Sequence, residues 1–148
     1  MCKENKLREF YFKLVHRILV SKKELHLFGV SNNSKCTYCG QPDSISHTFI
    51  ECHHSKQFFL NVLQQFNEEN ATSFTQSGEE LLFGKSLNTI GQLQRPPLLK
   101  KLNYCMLFAK HYLYNQKLNQ IEPELNEFNS RLDFKYRIAL DYSKPFVS

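Results

Sequence analysis

An all-α fold follows from the spacing of apolar residues: about five helices around one core, with a loop between the N-terminal helices and the rest that its own side chains are too polar to hold. Three observations predict it. Apolar residues recur at helical period through several separate stretches. No stretch alternates apolar and polar residues as a half-buried strand would. The loop carries Cys36, Cys39, His47 and Cys52 in the order C-x2-C-x7-H-x4-C, four metal-ligating side chains in a chain with only five cysteines.

The first helix is expected over about Asn5 to Val20, where Leu7, Phe10, Tyr11, Leu14, Val15, Ile18 and Leu19 repeat at i, i+3 and i+4 as one apolar stripe. Arg8, Lys13, His16 and Arg17 fall off that stripe, so the helix buries one side and shows a basic one. Ser21 suits the N-cap of a second short helix, Lys22 to Leu27, and Gly29 suits its stop because glycine enters the left-handed region freely. A third helix is expected from about Ser55 to Asn67, with Phe58, Phe59, Val62, Leu63 and Phe66 on one face.

Residues 67–80 are polar and read as a long surface loop, and Leu81-Leu82-Phe83 as an apolar anchor at its far end. Pro96 opens the longest helix, to about Asn119, since proline loses no needed hydrogen bond at the first helical position. From Leu102 to Leu113 that helix is apolar almost all round, which implies neighbours on several sides. Cys105 there reads as a small core residue, and Cys2 carries no inference. Glu122-Pro123-Glu124 starts a last helix to about Asp141, acidic in its first turn and basic later, as the helix dipole prefers. The expected organisation is residues 1–66 as basic helix, metal loop and following helix, 67–80 as loop, and 81–148 as a helical tail on the same core.

The loop from Ser31 to Cys52 holds turn formers (Asn32, Asn33, Gly40, Pro42, Asp43) and few apolar residues. Zinc is the natural occupant of its four ligands, because a d10 ion takes thiolates and imidazole tetrahedrally and closes a structural site against water. His53 and His54 follow Cys52 directly, and either is an alternative to His47. A thioredoxin-like redox pair would need a strand before the CxxC and a helix after it, whereas Asn-Asn-Ser and Gly-Gln-Pro flank it here. A disulfide framework would need an oxidising compartment, and the first residues hold no apolar signal core. An accidental cluster that binds nothing is the remaining alternative. The expected location is nucleus or cytoplasm, not secretion.

At 148 residues the chain has the size of one domain, able to bury about 70% of its unfolded surface. No apolar run is long enough to span a membrane. Thirteen Phe and seven Tyr, with no Trp, serve the core first and are not counted as a base-stacking array. Charge is asymmetric: residues 1–35 hold eight Lys or Arg against three Glu, and the remainder is balanced, so the whole formal excess of +5 precedes the metal loop. Such a segment is either a solvated face or a phosphate-binding one. On the second reading Arg8, Lys13, Arg17, Lys22, Lys23 and Lys35 meet phosphates, and Tyr38 either stacks on an unpaired base or packs over the metal cluster.

The run Arg8-Glu9-Phe10-Tyr11-Phe12-Lys13-Leu14-Val15-His16-Arg17-Ile18-Leu19-Val20, followed by Cys36-Thr37-Tyr38-Cys39-Gly40, Asp43 to Phe49 and Glu51-Cys52, resembles the region after the polymerase in LINE-type non-LTR retrotransposon reverse transcriptases. Phe108 to Lys117, with Glu122-Pro123 and Glu127-Phe128, is similar to the helical tail of the same elements. The resemblance implies a zinc-knuckle-like region that binds template RNA or target DNA through the phosphate backbone with weak sequence preference, with the remainder of a polymerase as a further partner. No catalytic residues are expected: the Tyr/Phe-x-Asp-Asp polymerase motif and an endonuclease constellation are both missing, and Asp133 and Asp141 are isolated. Two other readings stand beside it, a zinc-stabilised helical module that docks on protein without touching nucleic acid, and a free-standing transcriptional regulator. The latter lacks a recognition-helix pattern with paired His ligands.

Overall fold

In the computed structural model, which describes residues 3–75 and 96–132, helix α1 spans Lys3–Val15 and stops earlier than its apolar stripe suggests. Arg17 turns left-handed (φ 58), and the N–H groups of Arg17 and Ile18 close back on the carbonyls of Leu14 and Lys13 at 3.2 and 2.9 Å. These paired bonds satisfy carbonyls that the helix end would otherwise leave open. The buried stripe is consequently narrower than expected. Leu7, Phe10, Leu14 and Leu19 are buried, but Tyr11 and Ile18 are exposed.

Helix α2 (Lys22–Leu27) forms where expected, with Ser21 as N-cap. The Ser21 N–H donates to Glu24 Oε2 at 2.8 Å, and its hydroxyl meets the same carboxylate. Gly29 (φ 78) ends the helix, its N–H and that of Val30 bonding the His26 and Leu25 carbonyls. Glycine carries no Cβ penalty there.

The metal loop follows, with a single isolated bridge, Lys35 to Pro42, and no strand among the described residues. It leads into a five-residue π-helix, His47–Glu51 (π1), and then into α3, His53–Asn70. Helix α3 begins two residues earlier and ends three later than its apolar face implies. Cys52 serves as its N-cap, and Ala71 (φ 52) turns the chain out at its end. Asn67 then organises the exit: its Oδ1 accepts from Thr72 Oγ1 at 2.8 Å and Phe74 N at 3.0 Å, and Phe74 is buried against Phe66. The first residues of the expected polar loop are thus helical or pinned to the core. The rest of that loop, the Leu81-Leu82-Phe83 anchor, Asp133, Asp141 and the continuation of the last helix lie outside the described residues.

Helix α4, Pro96–Leu118, is the central element. Leu102, Ala109 and Leu113 are wholly buried, and Met106, Phe108 and Tyr112 nearly so. It packs on both α1 and α3. Phe10 of α1 lies 4.9 Å from the His111 ring and 5.7 Å from the Tyr114 ring, while Phe58 of α3 lies 5.8 Å from Tyr112. Gln120 (φ 58) ends α4 as Arg17 ends α1, with Ile121 N bonding the Gln116 carbonyl at 2.9 Å. A helical stretch over residues 125–132 (α5) closes the core with Phe128, 1% exposed and edge-on to Phe58. One apolar cluster therefore runs from Leu7 to Phe128. Cys105 is part of it, and among the described residues no helix is long and apolar enough to cross a membrane.

Two buried polar groups set expectations for stability. Ser55 is fully buried and its hydroxyl has no partner among the described residues, so Ser55→Ala is expected to hold or raise the thermal midpoint, since a buried hydroxyl without a hydrogen bond costs about 1 to 3 kcal/mol. Burial drops the Lys110 ammonium to about 8 from its ordinary 10.5. Between those pH values the unfolded chain binds more protons than the folded one, so this lysine makes stability rise with pH across the window. Denaturant titrations of wild type and Lys110→Met should differ by up to about 3 kcal/mol below pH 8 and converge above pH 10.5.

Candidate metal centre

Three local structures bring the four ligands together. The first is the turn Cys36 to Gly40, where the Cys36 N–H donates to the Gln41 carbonyl at 2.7 Å and the Gly40 N–H to the Cys36 carbonyl at 3.0 Å. Gly40 (φ 75) permits the reversal that points Cys36 and Cys39 the same way. The second is π1. Five residues in an α-helix cover about 1.4 turns and would place His47 and Cys52 on different sides. The π geometry, closed by Cys52 N to the His47 carbonyl at 2.8 Å, brings them to one face. The third is the start of α3, which Cys52 caps.

One donor atom from each of Cys36, Cys39, His47 and Cys52 lies within 4.8 Å of all the others. Cys36 Sγ and Cys52 Sγ are 3.9 Å apart, and Cys39 Sγ is 3.1 Å from His47 Nε2. Two sulfurs at about 2.3 Å from a tetrahedral zinc stand roughly 3.8 Å apart, so the donors already outline the coordination sphere. The cysteines are free thiols, and 3.9 Å is far beyond a bond between sulfurs. Cys36, Cys52 and His47 are buried and Cys39 partly so, which closes the sphere to water. His47 is the ligand of choice: its Nδ1 turns outward to Glu51 Oε2 at 3.9 Å, leaving Nε2 for the metal. His53 and His54 are exposed and stack on each other with ring centroids 4.3 Å apart, outside the four-donor cluster.

The electrostatics fit a cation. Burial, then Lys117, hold His47 below its ordinary range, so its imidazole is neutral and able to ligate at neutral pH. Burial pushes the Cys36 thiol up, but the backbone N–H groups of Cys39 and Tyr38 together with Lys117 outweigh it and bring the thiol below its ordinary value. Burial and the neighbouring sulfurs of Cys36 and Cys52 drive Cys39 the other way, to about 11. Sulfurs this close repel one another as thiolates. A divalent cation among them removes the conflict, and the donor set is that of zinc.

Behind the ligands lies a network that sequence reasoning missed. Lys117 Nζ reaches Asp43 Oδ1 at 2.5 Å and Thr48 Oγ1 at 2.8 Å, with all three residues buried. Asp43 Oδ2 accepts the Lys22 N–H at 2.9 Å and so joins α2 to the same point. Asp43 reads in sequence as a turn residue. Its partner lies 74 positions away, and no local pattern announces the pairing.

The expected phosphate-binding residues divide. Lys22 and Lys35 adjoin the metal loop, Lys22 Nζ standing 3.4 Å from Thr37 Oγ1 and Lys35 preceding Cys36. Lys23 is exposed beside Lys22 on α2. Arg8 and Arg17 are exposed on α1 and at its end, and Lys13 is paired with Glu9 at 3.0 Å. Tyr38 is fastened into the fold: its ring packs on the core and its hydroxyl donates to the Ile121 carbonyl at 2.8 Å. Of its two readings, packing is the one its contacts describe.

Purified protein is expected to carry one equivalent of zinc, lost in Cys39→Ser and retained in His53→Ala, as read by metal analysis. Acidification should release it, because protons compete for the thiolates and the imidazole.

Residues 2–59 match the family model described as zinc-binding in reverse transcriptase. The match spans α1, α2, all four ligands and the start of α3, and takes in no catalytic domain. No curated protein and no solved structure matches the chain. Geometry and match together make this a zinc-binding helical domain whose N-terminal segment is similar to the zinc-binding region of reverse transcriptases.

Proposed function

We propose that the chain is a nucleic-acid-binding zinc domain from the region after the polymerase of a LINE-type non-LTR retrotransposon reverse transcriptase, without catalytic activity of its own. It holds template RNA or target DNA by the phosphate backbone. The observation that carries this reading is the corner where α2 meets the metal loop. Lys22 is tied there through Asp43 and Thr37, Lys35 lies in the loop, and Lys23 is exposed next to Lys22. A metal-fixed corner presents these ammonium groups with little ordering cost on binding. Three thiols that must stay reduced to hold zinc favour the nucleus or cytoplasm.

A specific observation also favours the protein-docking reading. Leu27, Phe28 and Val30 are exposed by 73%, 68% and 73% at the end of α2. Apolar groups grouped this way suit a protein surface such as the remainder of a polymerase.

Single-stranded RNA and duplex DNA titrated against the protein over increasing salt separate the two. On the nucleic-acid reading, log K falls with log salt by roughly 0.7 to 0.9 per phosphate neutralised, and replacing Lys22, Lys23 and Lys35 with Gln flattens the slope. The pair Leu27→Ser and Phe28→Ser leaves it unchanged. A flat wild-type response would overturn the reading in favour of docking.

A further inference from the structure

We propose that Lys117, near the end of α4, is a positioning residue for the metal centre: its buried ammonium offsets the negative charge of the zinc-thiolate cluster, so that metal binding and the docking of α4 form one thermodynamic unit. This goes beyond nucleic-acid binding and stands whether or not that reading holds.

Charge counting supplies the reason. Zinc with three thiolates and a neutral imidazole carries a net charge of about −1. Asp43, 4% exposed and four residues from His47, adds another negative charge at the same place. Buried charge without compensation is costly. Lys117, 6% exposed, brings one positive charge against these two from a helix far away in sequence. Two of the three donors of this ammonium are placed by geometry, on Asp43 Oδ1 at 2.5 Å and Thr48 Oγ1 at 2.8 Å, and its charge helps hold the neighbouring Cys36 thiol below its ordinary range. Asp43 and Thr48 act as the socket. Thr48 Oγ1 in turn donates to the Ser44 carbonyl at 2.9 Å, so the socket is built from the residues just before and within π1.

Two further bonds tie α4 and the segment just after it to the N-terminal half of the fold. Tyr114 Oη donates to the Val20 carbonyl at 2.6 Å, and Tyr38 Oη to the Ile121 carbonyl at 2.8 Å. Lys117 therefore keeps its place on Asp43 and Thr48 only while α4 stays docked. Residues 2–59, the segment that matches the reverse-transcriptase family model, contain the four ligands but not this cation.

The test exploits a sign. Lys117→Gln and Asp43→Asn break the same ion pair, so a purely structural role predicts equal losses of metal affinity. A charge-offsetting role predicts opposite effects. Cobalt(II) titration of the full chain against a chromophoric chelator, with circular dichroism as the control for folding, reads the difference. Lys117→Gln is expected to lower affinity by about 10- to 100-fold, the usual effect of removing a group that supports a ligand, with Lys117→Arg recovering most of the loss. Asp43→Asn is expected to leave affinity equal to or above wild type. Should Lys117→Gln fail to fold, the double variant Lys117→Met with Asp43→Asn, which leaves neither member of the ion pair without its partner, is compared with Asp43→Asn alone and is expected to bind more weakly. Equal losses in the two single variants, wild-type affinity in Lys117→Gln, or equal affinity of the double variant and Asp43→Asn would each overturn the proposal.

Discussion

Closure of four ligands around one ion is the constraint on which the rest of the structure depends. The loop that supplies them is rich in turn formers and buries little apolar surface of its own. Ligation of zinc by such peptides is worth on the order of 10 to 16 kcal/mol at neutral pH, as much as the whole net stability of an ordinary domain. The ion thus gives shape to a segment that hydrophobic burial alone would leave open. That shape is what seats Phe49, fully buried, against Phe10 of α1 and Phe59 of α3. Metal and core are in this sense one structure.

Sharp helix endings let the elements reverse around that centre. Arg17, Gly29, Ala71 and Gln120 all turn left-handed where helices stop. Only one of the four is glycine, so the other three accept a steric cost that surrounding contacts must outweigh. At Ala71 the Asn67 side chain does this by bonding Thr72 and Phe74. At Gln120 the turn delivers the Ile121 carbonyl to Tyr38, so the strained residue serves the clasp between α4 and the metal loop.

The contrast between Tyr38 and the lysines beside it bears on function. An aromatic ring within a metal turn invites a base-stacking role, yet its hydroxyl is engaged and its face is packed. Lys23 and Lys35 are exposed, and Lys22 is half-buried with its ammonium against Thr37 Oγ1. The exposed Leu27, Phe28 and Val30 lie at the end of α2 and just past it, close in sequence to Lys22 and Lys23.

Much was legible before any coordinates. The four ligands were readable because metal chemistry restricts residue type and spacing together, and α2 because Ser21 and Gly29 are local signals for a helix start and stop. The periodicity of Phe58 to Phe66 and the all-round apolarity of α4 announced their helices, since burial acts on side chains at helical spacing. What the sequence could not show was anything set by partners distant along the chain. The early end of α1 at Arg17, the π geometry that aligns His47 with Cys52, the fastening of Tyr38 to Ile121, and the pairing of Lys117 with Asp43 were decided by tertiary structure. Local propensity records only what a residue prefers among its neighbours. A buried charge or a strained turn is tolerated because something elsewhere in the chain compensates for it, and that compensation exists only once the helices have closed on the metal.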